Sequence, residues 1–371
     1  MFEVMEHIKA EINAGVGCIT LNRPRALNAL TLEMVRQLTN LLVNWRDETE
    51  VEAVVIRGCN RTGPFGDFCA GGDIRFFYLA SSQKDESLSD FFTAEYRLTY
   101  LIHTYPKPYI AFMDGVVMGG GMGLSQGASF RVVTERTRMA MPETNIGFFP
   151  DVGASFFLNQ CENNIGKYIG ITGQVLSGYD AVAVGLADGI LMSRDLHDNW
   201  DLITSSKLSN VSDRINKFQA QCMSPKENAP TPSWFDRHLA STFGQETLDK
   251  VLERLAELDG KWAKETLLKL KERSPIMLYV TFKQLMLGQV LTLAECLRME
   301  RDLAQHCFYS THGTRAGKNN ETFEGIRALV IDKDFSPNWN PTNLNDVTPE
   351  MIEPFFKSPW LPYEHPLADL K

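Results

Sequence analysis

The chain contains no C-x-x-C pair, and its seven cysteines (Cys18, Cys59, Cys69, Cys161, Cys222, Cys296, Cys307) are odd in number and scattered. That pattern excludes a disulfide framework and a zinc site, and it fits a reducing compartment. The lone histidines show no metal-ligand spacing, so no metal is expected. No uninterrupted apolar run reaches about 18 residues, which leaves no membrane-spanning helix. The opening Met1-Phe-Glu-Val-Met-Glu-His7 lacks the basic, Ser-rich or apolar character of a transit or secretory peptide. A cytoplasmic protein is the reading; a processed organellar form carries the same signature. Positive charge is also in deficit: a net charge of -9 offers no broad basic footprint for nucleic acid or an anionic membrane. Any anionic ligand must therefore be met by local groups.

What the chain does have is size and apolar content, 371 residues at 44% hydrophobic, enough to bury a substantial core. Short apolar runs alternate with helix-like stretches through the N-terminal half, which predicts an α/β layered architecture. Residues 16–21, 51–57 and 109–113 read as strands. Thr31 caps a helix to Trp45 with apolar residues at Leu32, Val35, Leu38, Leu41 and Leu42. After Pro150 the pattern turns helical. Residues 204–231 are polar enough to be a linker or mobile loop between a core at 1–203 and a helical C-terminal cover at 232–371.

Two glycine clusters carry the chemistry. Phe68-Cys-Ala-Gly-Gly-Asp-Ile74 and Met118-Gly-Gly-Gly-Met-Gly123 each sit where a strand ends and a helix begins. Glycine lets backbone N–H groups approach a developing oxyanion without a Cβ in the way, and a helix start adds partial positive charge. Taken singly, either cluster is also consistent with close packing or a turn. Downstream, Glu143 and Asp151 are set eight residues apart in the otherwise apolar Met141-Pro-Glu-Thr-Asn-Ile-Gly-Phe-Phe-Pro-Asp-Val-Gly153. Such carboxylates either stay on an exposed loop or are desolvated with raised pKa, which is what a catalytic acid or base requires. Together the four features point to acyl chemistry.

Two competing motifs fall short. Gly123-Leu-Ser-Gln-Gly127 fits the G-x-S-x-G nucleophile elbow, but the turn lies at residues 119–121 and Ser125 falls a turn into the helix. Neither Gly119-x-Gly121 nor Gly121-x-Gly123 is completed as a dinucleotide fingerprint, so nicotinamide binding is not supported.

With Leu21-Asn-Arg-Pro-Arg-Ala-Leu-Asn-Ala-Leu30 and Met141-Pro-Glu-Thr144, these glycine motifs resemble the crotonase (enoyl-CoA hydratase/isomerase) superfamily in order and spacing over nearly the whole chain. Pro150-Asp-Val-Gly153 and the tail Phe323-Glu-Gly-Ile-Arg-Ala-Leu-Val-Ile-Asp-Lys-Asp334 are similar to its members that hydrolyse short 3-hydroxyacyl-CoA thioesters. The resemblance implies a ββα spiral with a helical C-terminal region, acting on 3-hydroxyisobutyryl-CoA in valine catabolism. It makes Gly72 and Gly120 the oxyanion donors, Glu143 and Asp151 the catalytic carboxylates, and Glu95 a substrate contact beside Gly120, Glu143 and Asp151. Arg25, Ala26 and Leu27 would line the nucleotide end of coenzyme A, and Lys333 would meet a phosphate. Coenzyme A enters as part of the acyl-CoA substrate, no separate cofactor or metal is implied, and a homo-oligomer is consistent with the family.

One departure selects the subclass. Hydratases of the family place a second glutamate three residues after the oxyanion glycine, where this chain has Gly123. Hydration is thereby disfavoured against hydrolysis. The alternatives are a hydratase or isomerase of the same fold, an esterase at Ser125 and a non-catalytic ribosome-associated scaffold. Within hydrolysis, Glu143 either attacks the thioester or activates a water.

Overall fold

The structure, a computed structural model, describes residues 7–205, 210–223, 231–309 and 320–371. The chain divides into two compact units, each built from three separate stretches. One comprises residues 1–72, 97–140 and 176–232, the other 73–96, 141–175 and 233–371. This differs from the expected boundaries at 203 and 231: residues 73–96 and 141–175 group with the C-terminal helices.

The first unit holds every strand described. β1 (Ile8–Asn13) pairs antiparallel with β2 (Val16–Leu21), and β3 (Ala53–Gly58) and β4 (Tyr109–Met113) follow in parallel. β5 (Val116–Met118), β6 (Phe130–Val133), β7 (Arg138–Ala140), β8 (Leu176–Ser177) and β9 (Gly189–Ile190) complete two sheets, of order β1-β2-β3-β4-β6-β9 and β5-β7-β8. Successive turns of chain give one strand to each sheet and then a helix: β4 and β5, then β6 and β7. Isolated bridges Leu30–Gly72 and Cys69–Val117 extend the shorter ladder to the earlier turns. This is the ββα spiral that the motifs lead one to expect.

Sequence explains the layers. All five residues of β4, and Ala53 to Ile56 of β3, are buried, the near-continuous apolar run of a parallel strand covered on both faces. Thr31 caps the helix Leu32–Asp47, accepting from the Met34 N–H, and Met34, Val35, Leu38, Leu42 and Trp45 make its buried stripe.

The expected linker is corrected in part. Helix Val211–Gln221 lies inside it and buries Val211, Arg214, Ile215 and Phe218. Phe218 packs on Phe112 and Phe130 at ring separations of 5.2 and 5.7 Å. Polar residues dominate the composition of 204–231, but the apolar ones share one helical face. Residues 206–209 and 224–230 of that segment lie outside the described residues.

The second unit is helical. Leu248–Glu257, Lys261–Lys271, Pro275–Gly288, Leu293–Tyr309 and Glu321–Ile326 are its main helices, as the helical pattern after Pro150 predicts. These helices form one body with the segments that carry Glu95, Glu143 and Asp151. The C-terminal region is thus more than the separate cover expected. No described helix is long and apolar enough to cross a membrane.

Candidate active site

In the first unit the two glycine clusters lie side by side. Gly119 turns the chain out of β5 at φ 49° and ψ −119°, a conformation closed to residues with a Cβ, and helix Gly120–Gly123 begins at the next residue. Gly71 is at φ +97°, and a Cβ placed on it would stand 3.2 Å from the Met118 carbonyl and 3.4 Å from the Gly120 nitrogen. Cys69 and Met118 lock the approach, the Met118 N–H donating to the Cys69 carbonyl at 2.9 Å. Neither the Gly72 nor the Gly120 N–H donates to another described residue. Unsatisfied backbone donors are rare at a buried position such as Gly120, and this one beside the half-buried Gly72 N–H makes a pair able to hold an oxyanion.

Ser125 is buried, and its hydroxyl donates back to the Gly121 carbonyl at 2.9 Å. It is a helix-bonded hydroxyl with no apex position, so the elbow expectation has no geometric support.

Arg25, Ala26 and Leu27 form a 3₁₀ turn, Pro24–Ala26, closed by Leu27 at φ 51°, with Arg25 and Leu27 exposed. The buried Asn28 anchors it, donating to the Cys59 and Asp67 carbonyls at 3.0 and 2.6 Å and accepting from the Arg23 N–H. The Leu27 carbonyl accepts from the Ala70 N–H at 3.0 Å, which fixes this turn beside the 68–72 glycine loop.

In the second unit the structure brings Glu95, Glu143 and Asp151 together, all buried. Glu95 and Tyr96 lie on helix Ser87–His103, Glu143 opens the 3₁₀ turn Glu143–Ile146, and Asp151 precedes helix Ala154–Phe157. Burial, then repulsion from Asp151 and Glu143, holds the Glu95 carboxyl well above the usual carboxylate range. Burial, then Asp151, does the same to Glu143. Burial pushes Asp151 up to about 7, against the Tyr96 hydroxyl, which donates to its Oδ2 at 2.8 Å and favours the charged form. One oxygen of Glu95 (Oε1) and one of Glu143 (Oε2) are buried without a hydrogen-bond partner. The surroundings are aromatic: Phe148 packs on Phe149, Phe92 and Phe308 with centroids 4.3, 5.9 and 5.6 Å apart. Such walls explain the desolvation.

Sequence reasoning missed three contributors, Tyr96, Gln284 and Glu300. Glu300 is fully buried, accepts from the Gly153 N–H, the Ser155 N–H and the Ser155 hydroxyl, and is pushed up by burial to about 8 against those donors. Lys333 sits exposed at φ 56° after the turn Arg327–Ile331. Among the described residues no three His, Cys, Asp or Glu side chains are grouped so as to hold a metal ion.

A spiral of ββα turns, paired glycine loops and a buried acid cluster define the class: the chain belongs to the enoyl-CoA hydratase/isomerase family, which it matches over residues 16–356. Among curated relatives it is 36% identical over 345 residues to the mitochondrial 3-hydroxyisobutyryl-CoA hydrolase of Rattus norvegicus, covering 92% of this chain and 86% of that one. The Homo sapiens protein of the same name is 35% identical over 359 residues, with 96% and 90% covered. Among solved structures, a carnitinyl-CoA dehydratase from Mycobacterium thermoresistibile superposes with a TM-score of 0.82 at 32% identity, covering 95% of this chain and 96% of that one. An enoyl-CoA hydratase from Rhodobacter sphaeroides gives 0.76 at 31%, with 95% and 97% covered.

Proposed function

We propose that this chain hydrolyses 3-hydroxyisobutyryl-CoA to 3-hydroxyisobutyrate and free coenzyme A, a step of valine catabolism. The observation that carries this reading is the gathering of Glu95, Glu143 and Asp151 as buried neighbours, whose desolvation raises all three carboxyls above the usual carboxylate range. The names of the curated relatives support it.

In the proposed reaction the thioester carbonyl accepts from the Gly72 and Gly120 N–H groups, which stabilise the tetrahedral oxyanion. Glu143 either attacks the carbonyl carbon, giving a mixed anhydride that water then opens, or takes a proton from the attacking water. Asp151, titrating at about 7, orients the 3-hydroxyl and passes a proton to the departing thiolate. A thiol's ordinary pKa is about 8.5, so that transfer runs downhill. The balance is one water consumed, one carboxylic acid and one thiol released. Glu95 contacts the acyl group, Arg25, Ala26 and Leu27 line the nucleotide end and Lys333 meets a phosphate; no separate cofactor takes part.

A hydratase is the second reading, favoured by the names of the similar solved structures and opposed by Gly123. The mitochondrial names of the relatives fit a reducing compartment, and so do seven free thiols. The deciding assay is thiol release from 3-hydroxyisobutyryl-CoA, 3-hydroxypropionyl-CoA and crotonyl-CoA, with Glu143→Gln as control. Release from the first, lost in the control, is expected; water addition to crotonyl-CoA without thiol release overturns the reading. Single turnover in ¹⁸O-water separates the two routes, label in the Glu143 carboxyl marking the anhydride.

A further inference from the structure

One buried acid takes no part in the chemistry above. Glu300 lies in the middle of helix Leu293–Tyr309, on the stripe formed by Cys296, Leu297, Leu303, Ala304 and Cys307. Its sequence neighbour Arg301 gives it no counter-charge, since that guanidinium donates to Thr93 Oγ1 at 3.1 Å and to Ser89 Oγ at 2.5 Å. A carboxylate in such a place is costly unless its oxygens are hydrogen-bonded.

All of its bonds go to one loop. Oε2 accepts from the Gly153 N–H at 2.7 Å, and Oε1 from the Ser155 N–H at 2.9 Å and the Ser155 hydroxyl at 2.6 Å. Gln284, buried on helix Pro275–Gly288, grips the same loop, its amide donating to the Pro150 carbonyl and to Ser155 Oγ. Asp151 lies between those holds. The chain leaves it through Val152 at φ 52°, a region that a β-branched residue strongly disfavours, and Gly153 at φ 87°. Such a turn persists only where its surroundings over-determine it.

We infer that Glu300 is a positioning residue for thioester hydrolysis: by fixing the Gly153 and Ser155 amides it holds the Val152 turn and so aims the Asp151 carboxyl at the Tyr96 hydroxyl and the substrate. This rests on Asp151 being the working acid of the proposed function. Nothing in the local sequence of residues 143–153 requires a carboxylate at 300; the three donors converging on it do.

Glu300→Gln tests the inference, because the amide nearly keeps the shape while turning an NH₂ toward a backbone N–H. The expected result is a fall in kcat on the order of 10- to 100-fold, the scale of a misplaced catalytic group, with KM changed less than about threefold. The decisive measurement repeats the substitution in an Asp151→Asn background. There it should add less than about threefold, because a residue acting through Asp151 has nothing left to position. An equal loss in both backgrounds, or no loss in either, overturns the inference. If Glu300→Gln does not fold, Gln284→Met removes the hold on Pro150 and is read by the same non-additivity. Failure of the functional reading is distinguishable: the wild-type chain would then release no thiol from 3-hydroxyisobutyryl-CoA, or Asp151→Asn and Glu143→Gln would leave that release unchanged. Impaired catalytic variants beside a neutral Glu300→Gln defeat only the positioning role.

Discussion

Replacing Tyr96 with Phe removes one oxygen from the second unit and little else, because the ring is wholly buried on helix Ser87–His103 and its hydroxyl bonds Asp151 Oδ2 at 2.8 Å. A hydrogen bond to an ionised group is worth about 1.5–3 kcal/mol. Since about 1.36 kcal/mol moves a pKa by one, its loss should lift Asp151 from about 7 to about 8 or higher. The sign follows from which form the hydroxyl favours: it donates to the carboxylate, so without it the proton is held more tightly. Asp151 serves as an acid in the proposed reaction, so the alkaline limb of kcat/KM for thiol release should move up by about one pH unit or more. Stability carries the same signature. The folded chain keeps a proton on Asp151 that the unfolded chain releases near 3.8, so this group's contribution to stability falls as pH rises from there to about 7. In Tyr96→Phe the fall should continue to about 8 or beyond, visible in urea melts at pH 5, 7 and 9. An alkaline limb that stays in place while the variant remains folded refutes the assignment of Asp151 as the titrating acid.

Ser125→Ala should keep kcat within about twofold and lose about 1 kcal/mol of stability, since the hydroxyl only bonds back to the Gly121 and Met122 carbonyls of the preceding short helix; abolished thiol release would restore the serine elbow. Gly121→Ala places a Cβ 2.4 Å from the Cys69 carbonyl, so the two glycine loops must part. A loss of about 1–3 kcal/mol in thermal unfolding and on the order of 100-fold in kcat is expected, and wild-type turnover would argue against an oxyanion role for these loops. Phe218→Ala should cost about 3–5 kcal/mol, because its ring is fully buried against Phe112 and Phe130. A silent result in a chemical melt would mean that the helix Val211–Gln221 is not part of the first unit's core.

The glycine loops, Glu143 and Asp151 were legible in the sequence because their chemistry is local: glycine at a strand-to-helix junction and carboxylates in an apolar run are visible within a dozen residues. Glu300 was not, because its partners lie 145 and 147 residues away. A faint signal existed, since Glu300 interrupts the buried stripe of Cys296, Leu297, Leu303, Ala304 and Cys307 at the period of a helix. Gln284 likewise shares a buried face with Met277, Thr281 and Gly288. Tyr96 carries no such signal, because the partner of its hydroxyl is Asp151, 55 residues further along the chain. Within 204–231 polar composition masks a helix that only periodicity reveals: Val211, Ile215 and Phe218 recur at helical spacing in a polar background. The division into units could not be read from order along the chain, because each gathers three distant stretches.

That gathering sets a timetable for biosynthesis. Asp151 leaves the ribosome well before the helix that carries Glu300, and at about 5–20 residues per second the intervening chain takes about 7–30 s to be made. Through that interval the left-handed Val152 turn lacks its Glu300 anchor, and the Phe148 ring lacks the Phe308 ring it packs against. The turn that follows Asp151 is therefore completed only after the helix carrying Glu300 has been made.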